Sequence, residues 1–360
     1  FNEALHNDGE LPQFSDDLIA HYRNNDDPDL YPNTNWIDKM LRKNTFTHRY
    51  TLNVRGGTEK AKYFVSAAYY NESGIFKGSP TKQYNTNIGI DRINLRSNID
   101  MNVSSTTTVG VDLALQYLVN NYPGTGTANI FRSMLITPPY TFPAVYSDGT
   151  VSTYSQERDA NMRNPYNLLM NSGYAKEYRT AIQSKVYVDQ KLDFITKGLS
   201  LQIKGAYNTN YNVKVYRAPT GTNSKYTPIY LGTINTPGMD FTDPRFDNTI
   251  VYQTDGVSGL NEPMSYSEAT GRGRNWYGEF SLNYNRSFGD HDVSVLFLYN
   301  QSKKYYPETK IDGKVFYVDI PTAYIGYVGR LTYAYKKRYM LDLNAGYNGS
   351  ENFAPDKRFG

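Results

Sequence analysis

Hydrophobic and polar residues alternate along ten stretches of this 360-residue chain, beginning near residue 46. In residues 92–101, Ile93, Leu95 and Ile99 alternate with Arg92 and Arg96. Successive side chains of a β-strand point to opposite faces, so each stretch predicts a strand with one apolar and one polar face. The predicted strands cover residues 46–55, 61–71, 92–101, 109–117, 178–192, 199–208, 276–286, 292–301, 324–335 and 339–347.

The connections between these strands alternate between short and long. Tight turns separate the members of each hairpin, and the long connections cover about 73–88, 120–174, 212–273 and 303–320. An antiparallel meander has this pattern when all its short turns lie at one end. A soluble β-sandwich is the alternative, but its strands average about 5–6 residues and it needs Greek-key connections. Amphipathic strands of about 9–11 residues or more are typical of a transmembrane antiparallel β-barrel.

The composition agrees with such a barrel and excludes several other classes. Only 39% of the residues are hydrophobic, 15% are aromatic, the net charge is +3 and cysteine is absent. The sequence has no apolar run of the roughly 18–20 residues that a membrane helix needs. A disulfide scaffold is excluded, and nucleic-acid binding through bulk charge is not expected. A barrel accommodates the low hydrophobic fraction because only one face of each strand meets lipid.

Five stretches resemble the SusC/RagA-type TonB-dependent transporters of the Bacteroidetes outer membrane. They occur in the order of that family and span most of the chain. They are residues 27–36 (DPDLYPNTNW), 56–66 (GGTEKAKYFVS), 92–100 (RINLRSNID), 164–166 (NPY) and the run from 329 to 360 that contains GRLTY, YNGS and FAP. Asn35 and Asn348 depart from the family, which usually has Asp at these positions, so any ionic contact there does not carry over.

The resemblance implies an outer-membrane barrel of roughly 22 strands with a plugged lumen, of which this chain supplies about ten. Residues 1–44 would be an extracellular loop segment with short helices, and residues 45–360 a partial barrel. We expect the plug, the TonB-box segment and the closing strand to lie outside the sequence. TonB would act through that plug, and a SusD-like surface lipoprotein would cover the long loops.

The function implied by the resemblance is active import of a large nutrient, most often an oligosaccharide. Two alternatives remain open: an oligopeptide importer of the same architecture, and a passive porin or surface adhesin. The sequence has no recognisable nucleophile, phosphate-binding or metalloprotease motif, so we predict neither enzymatic activity nor a cofactor. The four His residues are scattered, and Pro28 interrupts the acidic run around Asp27. We therefore predict no metal site.

Candidate ligand contacts fall into two sets. Polar strand positions would line the lumen, where they could contact a ligand or simply hydrate the wall and contact the plug. These positions are Arg92, Arg96, Asp112, Gln116, Lys185 and Asp189. Aromatic and amide side chains of the long loops suit a sugar, an oligopeptide or a lid protein. These are Tyr122, Tyr140, Tyr146, Tyr154, Asn164, Tyr166, Tyr226 and Tyr230.

Overall fold

The computed structural model describes most of the chain. The undescribed residues are 1, 13–14, 30, 79–83, 148, 150, 152–153, 156–158, 221–224, 231–249, 256–262, 306–307, 312–313 and 318–320. For residues 154–155, 159–163, 225–230, 250–255, 308–311 and 314–317 only the backbone is described.

Ten long strands form one antiparallel sheet in which each strand pairs with the next in the chain. The strands are β1 Thr47–Gly57, β2 Ala61–Ser73, β3 Gly89–Asn102, β4 Thr107–Pro123, β5 Tyr174–Lys191, β6 Leu199–Ala218, β7 Ser265–Phe288, β8 His291–Tyr305, β9 Thr322–Tyr335 and β10 Tyr339–Ser350. The predicted all-β antiparallel meander is confirmed, and β1 and β10 are the two edges of a sheet that does not close on itself.

Several strands extend well beyond the predicted stretches. The strand predicted at 199–208 continues to Ala218 as β6, and the one predicted at 276–286 begins at Ser265 as β7. The two remain paired as far as Ser265 opposite Ala218. The alternation continues in the β6 extension through Tyr211, Val213 and Val215. In the β7 extension both faces carry polar residues, so the period-two signal disappears there while the backbone hydrogen bonds continue.

One face of the sheet is apolar and the other polar, and we keep these two names below. Leu52, Leu113 and Leu343 lie on the apolar face, where they are 67%, 50% and 53% exposed. In the cross-strand register Leu331 of β9 lies opposite Leu343 of β10, so apolar residues align across the strands. Such exposure is expected of a face that meets lipid rather than a second protein layer.

Among the described residues, five short α-helices and three small hairpins occupy the long connections and the segment before β1. The helices are α1 Asn2–Asn7, α2 Asp16–Asn24, α3 Trp36–Met40, α4 Thr127–Ile136 and α5 Pro165–Asn171. The hairpins pair Tyr154–Ser155 with Asp159–Arg163, Lys225–Tyr230 with Ile250–Asp255, and Glu308–Ile311 with Lys314–Tyr317. Among the described residues, no helix combines the length and apolar character required to cross a membrane.

The buried hydrophobic residues of the described part lie at the long-loop end of the sheet. They come from α3, α4, α5 and the connections that follow β2 and β4. We call this cluster the loop core, and it consists of Trp36, Met40, Phe76, Ile130, Met134, Phe142, Ala144, Leu169 and Met170. Phe76 and Ile130 are fully buried, and Trp36 meets Phe142 edge to face. The loop core therefore holds the segment before β1 against two long connections.

Candidate functional site

The polar face carries two cross-strand ion pairs near the middle of the sheet. Lys185 of β5 lies 2.6 Å from a carboxylate oxygen of Asp112 on β4. Lys204 of β6 donates to Glu279 of β7 over 2.9 Å. Neighbouring strands place opposite charges side by side at both pairs, so the charges largely compensate one another.

An amide-rich groove lies on the polar face toward the long-loop end, across β5, β6 and β7. Its cavity volume is about 580 Å³. The amide side chains that line it come from Gln183, Asn208, Asn210, Asn212 and Asn275. Lys304 also lines the groove, which therefore combines amides that donate and accept hydrogen bonds with a cation and suits ligands rich in hydroxyl or peptide groups. We call it the amide groove.

Two glycines of β7 form the floor of the amide groove. Gly271 lies opposite Asn212 and Gly273 opposite Asn210. A Cβ on Gly271 would lie 2.0 Å from the Asn212 Oδ1, and one on Gly273 would lie 2.2 Å from the Asn210 Oδ1. The missing side chains therefore let the two asparagine side chains lie across β7 on the polar face.

A second polar cluster lies beside the amide groove at the long-loop ends of β4, β5 and β6. We call it the mouth cluster. Glu177 is only 6% exposed and accepts from the Arg179 Nε over 2.7 Å. The Asn120 amide donates to the same carboxylate over 3.3 Å. The Lys214 ammonium lies 5.3 Å above the Tyr122 ring. The carboxylate is thus fully engaged, while the aromatic ring and both cations lie on the polar face.

All six lumen positions predicted from the alternation lie on the polar face. Arg96, Asp112 and Lys185 line one depression of about 420 Å³. The remaining three contact neighbours on the same face: the Arg92 guanidinium lies 4.8 Å above Tyr70, Gln116 donates to Asn94, and Asp189 accepts from Gln202.

The aromatic residues predicted in the long loops are more dispersed. Tyr122 belongs to the mouth cluster, whereas Tyr146 is only 4% exposed. Tyr140 meets Tyr22 edge to face with the centroids 6.2 Å apart, and Tyr166 packs against the loop core under the Lys39 ammonium. The side chains of Tyr154, Tyr226 and Tyr230 lie outside the described residues.

Asn164 is fully buried and holds the loop core together. Its Oδ1 accepts from the backbone N–H groups of Tyr166 and Asn167, which caps α5, and its Nδ2 donates to the Ala144 carbonyl over 3.0 Å. Every contact of this amide is therefore made within the chain, which is the arrangement of a structural cap.

Asp29 of the acidic run is also used internally. Its carboxylate accepts from the backbone N–H of Ser147 over 3.0 Å and from the Ser147 hydroxyl. Within the described part of the chain, no three His, Asp or Glu side chains converge in a way that could hold a metal ion.

The sequence reasoning missed the amide groove and the mouth cluster. The signal for the groove was present in the alternate asparagines at 208, 210 and 212, which face one side of a strand. Its glycine floor depends on which strand pairs with β6 and in which register. The mouth cluster likewise requires three strands at one height, and only the structure provides that.

Comparison with known proteins identifies similar barrels, and no family model matches the chain. TonB-dependent receptor P26 of Formosa agariphila is 23% identical over 347 residues, which is 92% of this chain and 31% of that receptor. TonB-dependent receptor P3 of the same organism is 24% identical over 355 residues, with 91% and 30% covered. The chain therefore spans about a third of the length of these relatives.

Solved structures of the RagAB system have the same fold. A structure of the RagAB peptide transporter superimposes with a TM-score of 0.59 at 14% identity, covering 91% of this chain and 34% of that chain. The RagAB peptide importer in its closed-closed state gives 0.60 at 15% identity, covering 92% and 35%. The resemblance to SusC/RagA-type TonB-dependent transporters is thus confirmed. The sheet has the fold of a segment of an outer-membrane β-barrel, with one apolar and one polar face.

Proposed function

We propose that this chain forms part of the wall and loops of a TonB-dependent importer that takes up a large nutrient rich in hydrogen-bonding groups. The observation that carries the proposal is the amide groove, which lies on the lumen side just below the long loops. The two receptors similar over most of the chain are TonB-dependent. TonB would act through a plug supplied by the rest of the protein, and the chain itself performs no bond chemistry.

An oligosaccharide is the first candidate substrate. Its hydroxyl groups can pair with the amides of Asn208, Asn210 and Asn212 without an ionic partner. The rings at the mouth, half-buried Tyr122 and exposed Tyr216, flank Lys214 and can stack on the apolar face of a sugar ring. Charged pairs near the groove, such as Lys204 with Glu279, are satisfied internally and so do not demand a charged substrate.

An oligopeptide is the second candidate, and two observations favour it. The structures with the same fold include the RagAB peptide transporter. The groove amides can also pair with peptide N–H and C=O groups, and the Arg179 and Lys214 cations at the mouth can attract a terminal carboxylate.

A SusD-like lipoprotein is the proposed partner at the long-loop end. The loop core gives this end a folded surface. α3, α4 and α5 pack together there, and Leu135 is 77% exposed on α4. A lid protein resting on this surface would enclose a ligand bound at the mouth.

The test is substrate binding by the complete transporter purified with its partner. Pools of oligosaccharides and of oligopeptides are titrated into wild-type protein and into a variant with alanine at 208, 210 and 212. Each neutral hydrogen bond is worth about 0.5–1.5 kcal/mol, so each lost contact should weaken binding roughly 2- to 10-fold. Asn344→Ala, on the polar face of β10, is the control. If the triple variant binds with the same affinity as wild type, the groove is not part of the binding site.

Energy dependence separates import from passive flow. Uptake by cells should stop when a protonophore collapses the inner-membrane gradient. Continued uptake at an unchanged rate would favour the porin alternative. If cells take up no substrate, and cells lacking the protein no longer bind to surfaces, the adhesin alternative would be favoured.

A further inference from the structure

Basic and aromatic side chains gather on the apolar face of the sheet at its long-loop end. Arg272 and Arg274 of β7 point to the same face as Trp276, since all three have the same parity along the strand. Arg272 lies opposite Tyr211, Arg274 opposite Tyr305 and Trp276 opposite Lys303. These residues are the basic-aromatic patch: Tyr211, Arg272, Arg274, Trp276, Lys303 and Tyr305.

The patch lies directly above the lipid-facing band of the barrel. The same face of β7 continues downward through Phe280, Leu282 and Tyr284 toward the short turns. Long loops of outer-membrane barrels are extracellular, and aromatic girdles mark the two interfaces. Trp276 therefore marks the outer interface, and the cations next to it lie at the level of the headgroups of the outer leaflet.

The contacts of the cations distinguish this face from the lumen. The Arg274 guanidinium lies 4.3 Å from the centre of the Tyr305 ring, and the Lys303 ammonium lies 5.1 Å from the same ring. Among the described residues, neither cation has a carboxylate within ion-pair distance. The ion pairs between described strand residues instead lie on the polar face, at Glu177, Asp112, Glu279 and Asp342.

We infer that the basic-aromatic patch binds the phosphate groups of the phosphorylated glycolipid in the outer leaflet. The two neighbouring cations Arg274 and Lys303 repel one another at a lipid interface and are costly to dehydrate unless an anion lies between them. A guanidinium fits a phosphate through two parallel hydrogen bonds, and a lysine adds a point charge. The Tyr305 ring holds Arg274 and Lys303 close together, which suits one shared phosphate.

Arg286 provides a matched control on the same strand and face. Its guanidinium lies 4.8 Å above the Phe288 ring, so it makes the same type of contact as Arg274. It lies at the short-turn end, however, where the barrel meets the periplasmic leaflet. Arg286→Gln should therefore remove a similar cation without affecting the glycolipid of the outer leaflet.

The experiment measures the glycolipid retained by the complete transporter. Wild-type protein, the double variant Arg274→Gln/Lys303→Gln, and Arg286→Gln are purified in the same mild detergent. Retained phosphorylated glycolipid is quantified by native mass spectrometry, and heat-modifiable gel mobility confirms that each barrel is folded. We expect at least a 5-fold loss in the double variant and wild-type retention in Arg286→Gln. The charge-preserving variant Arg274→Lys/Lys303→Arg should restore most of it.

Further arms test the source of the phosphate. Delipidated protein is mixed with vesicles containing the phosphorylated glycolipid, with vesicles of its dephosphorylated form, or with inorganic phosphate. We expect retention only from the first, with excess inorganic phosphate failing to displace it. Equal retention by the double variant and wild type, or equal binding of the dephosphorylated glycolipid, would overturn the inference. Binding of inorganic phosphate alone would show a simple anion site instead.

Discussion

Asn212 of β6 extends its amide across Gly271 of β7, and the two residues are cross-strand partners. A methyl group at Gly271 would lie 2.0 Å from the Asn212 Oδ1, so the amide would have to turn away. We predict that Gly271→Ala weakens ligand binding about 5-fold, which corresponds to about 1 kcal/mol. Isothermal titration of the complete transporter measures the change.

Gly205→Ala is the control for that substitution. Gly205 lies in β6 as well, and a Cβ there would meet no atom within 4 Å. Its affinity should equal that of wild type. If both glycine variants lose affinity equally, the effect comes from general changes in the sheet and not from the Asn212 amide.

Asn164→Ala should loosen the loop core. The substitution removes the cap of α5 and leaves the buried Ala144 carbonyl without its donor. A lost cap costs about 1 kcal/mol and an unsatisfied buried group about 1–3 kcal/mol. We expect faster hydrogen exchange in residues 138–147 and 164–171 while the strands keep their protection.

Asn35→Ala provides the comparison for the buried cap. Asn35 caps α3 by accepting from the Asp38 N–H over 3.2 Å, but it is exposed. Its loss should cost about 1 kcal/mol, confined to α3. If the two variants have equal effects on the loop core, burial of Asn164 adds nothing.

Glu177→Ala should disorder the mouth cluster. The buried carboxylate accepts from Arg179 and from Asn120, and both donors would lose their partner. Because Arg179 is partly exposed, we expect a local cost of about 2 kcal/mol, below that of a fully buried pair. Hydrogen exchange at residues 118–123 and 174–179 reports the change. Glu268→Ala is the control. Glu268 is exposed and accepts from Tyr266, so its loss should lower the free energy of unfolding by less than about 0.5 kcal/mol.

Alkaline pH should open the loop that follows β2. Burial raises the pKa of Tyr84 above its ordinary value of about 10, partly offset by a hydrogen bond to the Gly173 backbone. The folded loop therefore favours the neutral phenol. Its contribution to stability is complete below pH 10 or so and is lost as the pH rises through the folded pKa. Hydrogen exchange or limited proteolysis between pH 8 and about 11.5 measures the opening, and Tyr84→Phe should flatten that dependence. An equally steep dependence in the variant would assign it to another group.

The sheet was predictable from the sequence because lipid and lumen impose opposite chemistry on alternate residues. Leu199, Leu201 and Ile203 show this directly, and their strand is at the predicted position. The same signal is absent from the first part of β7, where Glu268, Arg272 and Arg274 occupy the apolar face, so the start of β7 could not be predicted.

The candidate site was less predictable because it depends on register and on burial. Arg96, Asp112 and Lys185 follow from parity alone and lie together on the polar face. The alternation along one strand gives the face of a residue but not its cross-strand partner, so it cannot predict that Gly271 lies beneath Asn212. Composition alone also could not distinguish Asn164, which is buried and satisfied, from the asparagines that line the groove.

The most direct test of the account is the accessibility of β6 in the complete transporter embedded in a membrane. This chain contains no cysteine, so single cysteines can be placed at positions 201 to 208 and spin-labelled without background from it. Collision with oxygen reports lipid, and collision with a water-soluble nickel complex reports the lumen. We predict that labels at 201, 203 and 205 meet oxygen, whereas labels at 202, 206 and 208 meet the nickel complex, with 208 shielded when ligand fills the groove. Accessibility without this period of two, or with the faces reversed, would contradict the account.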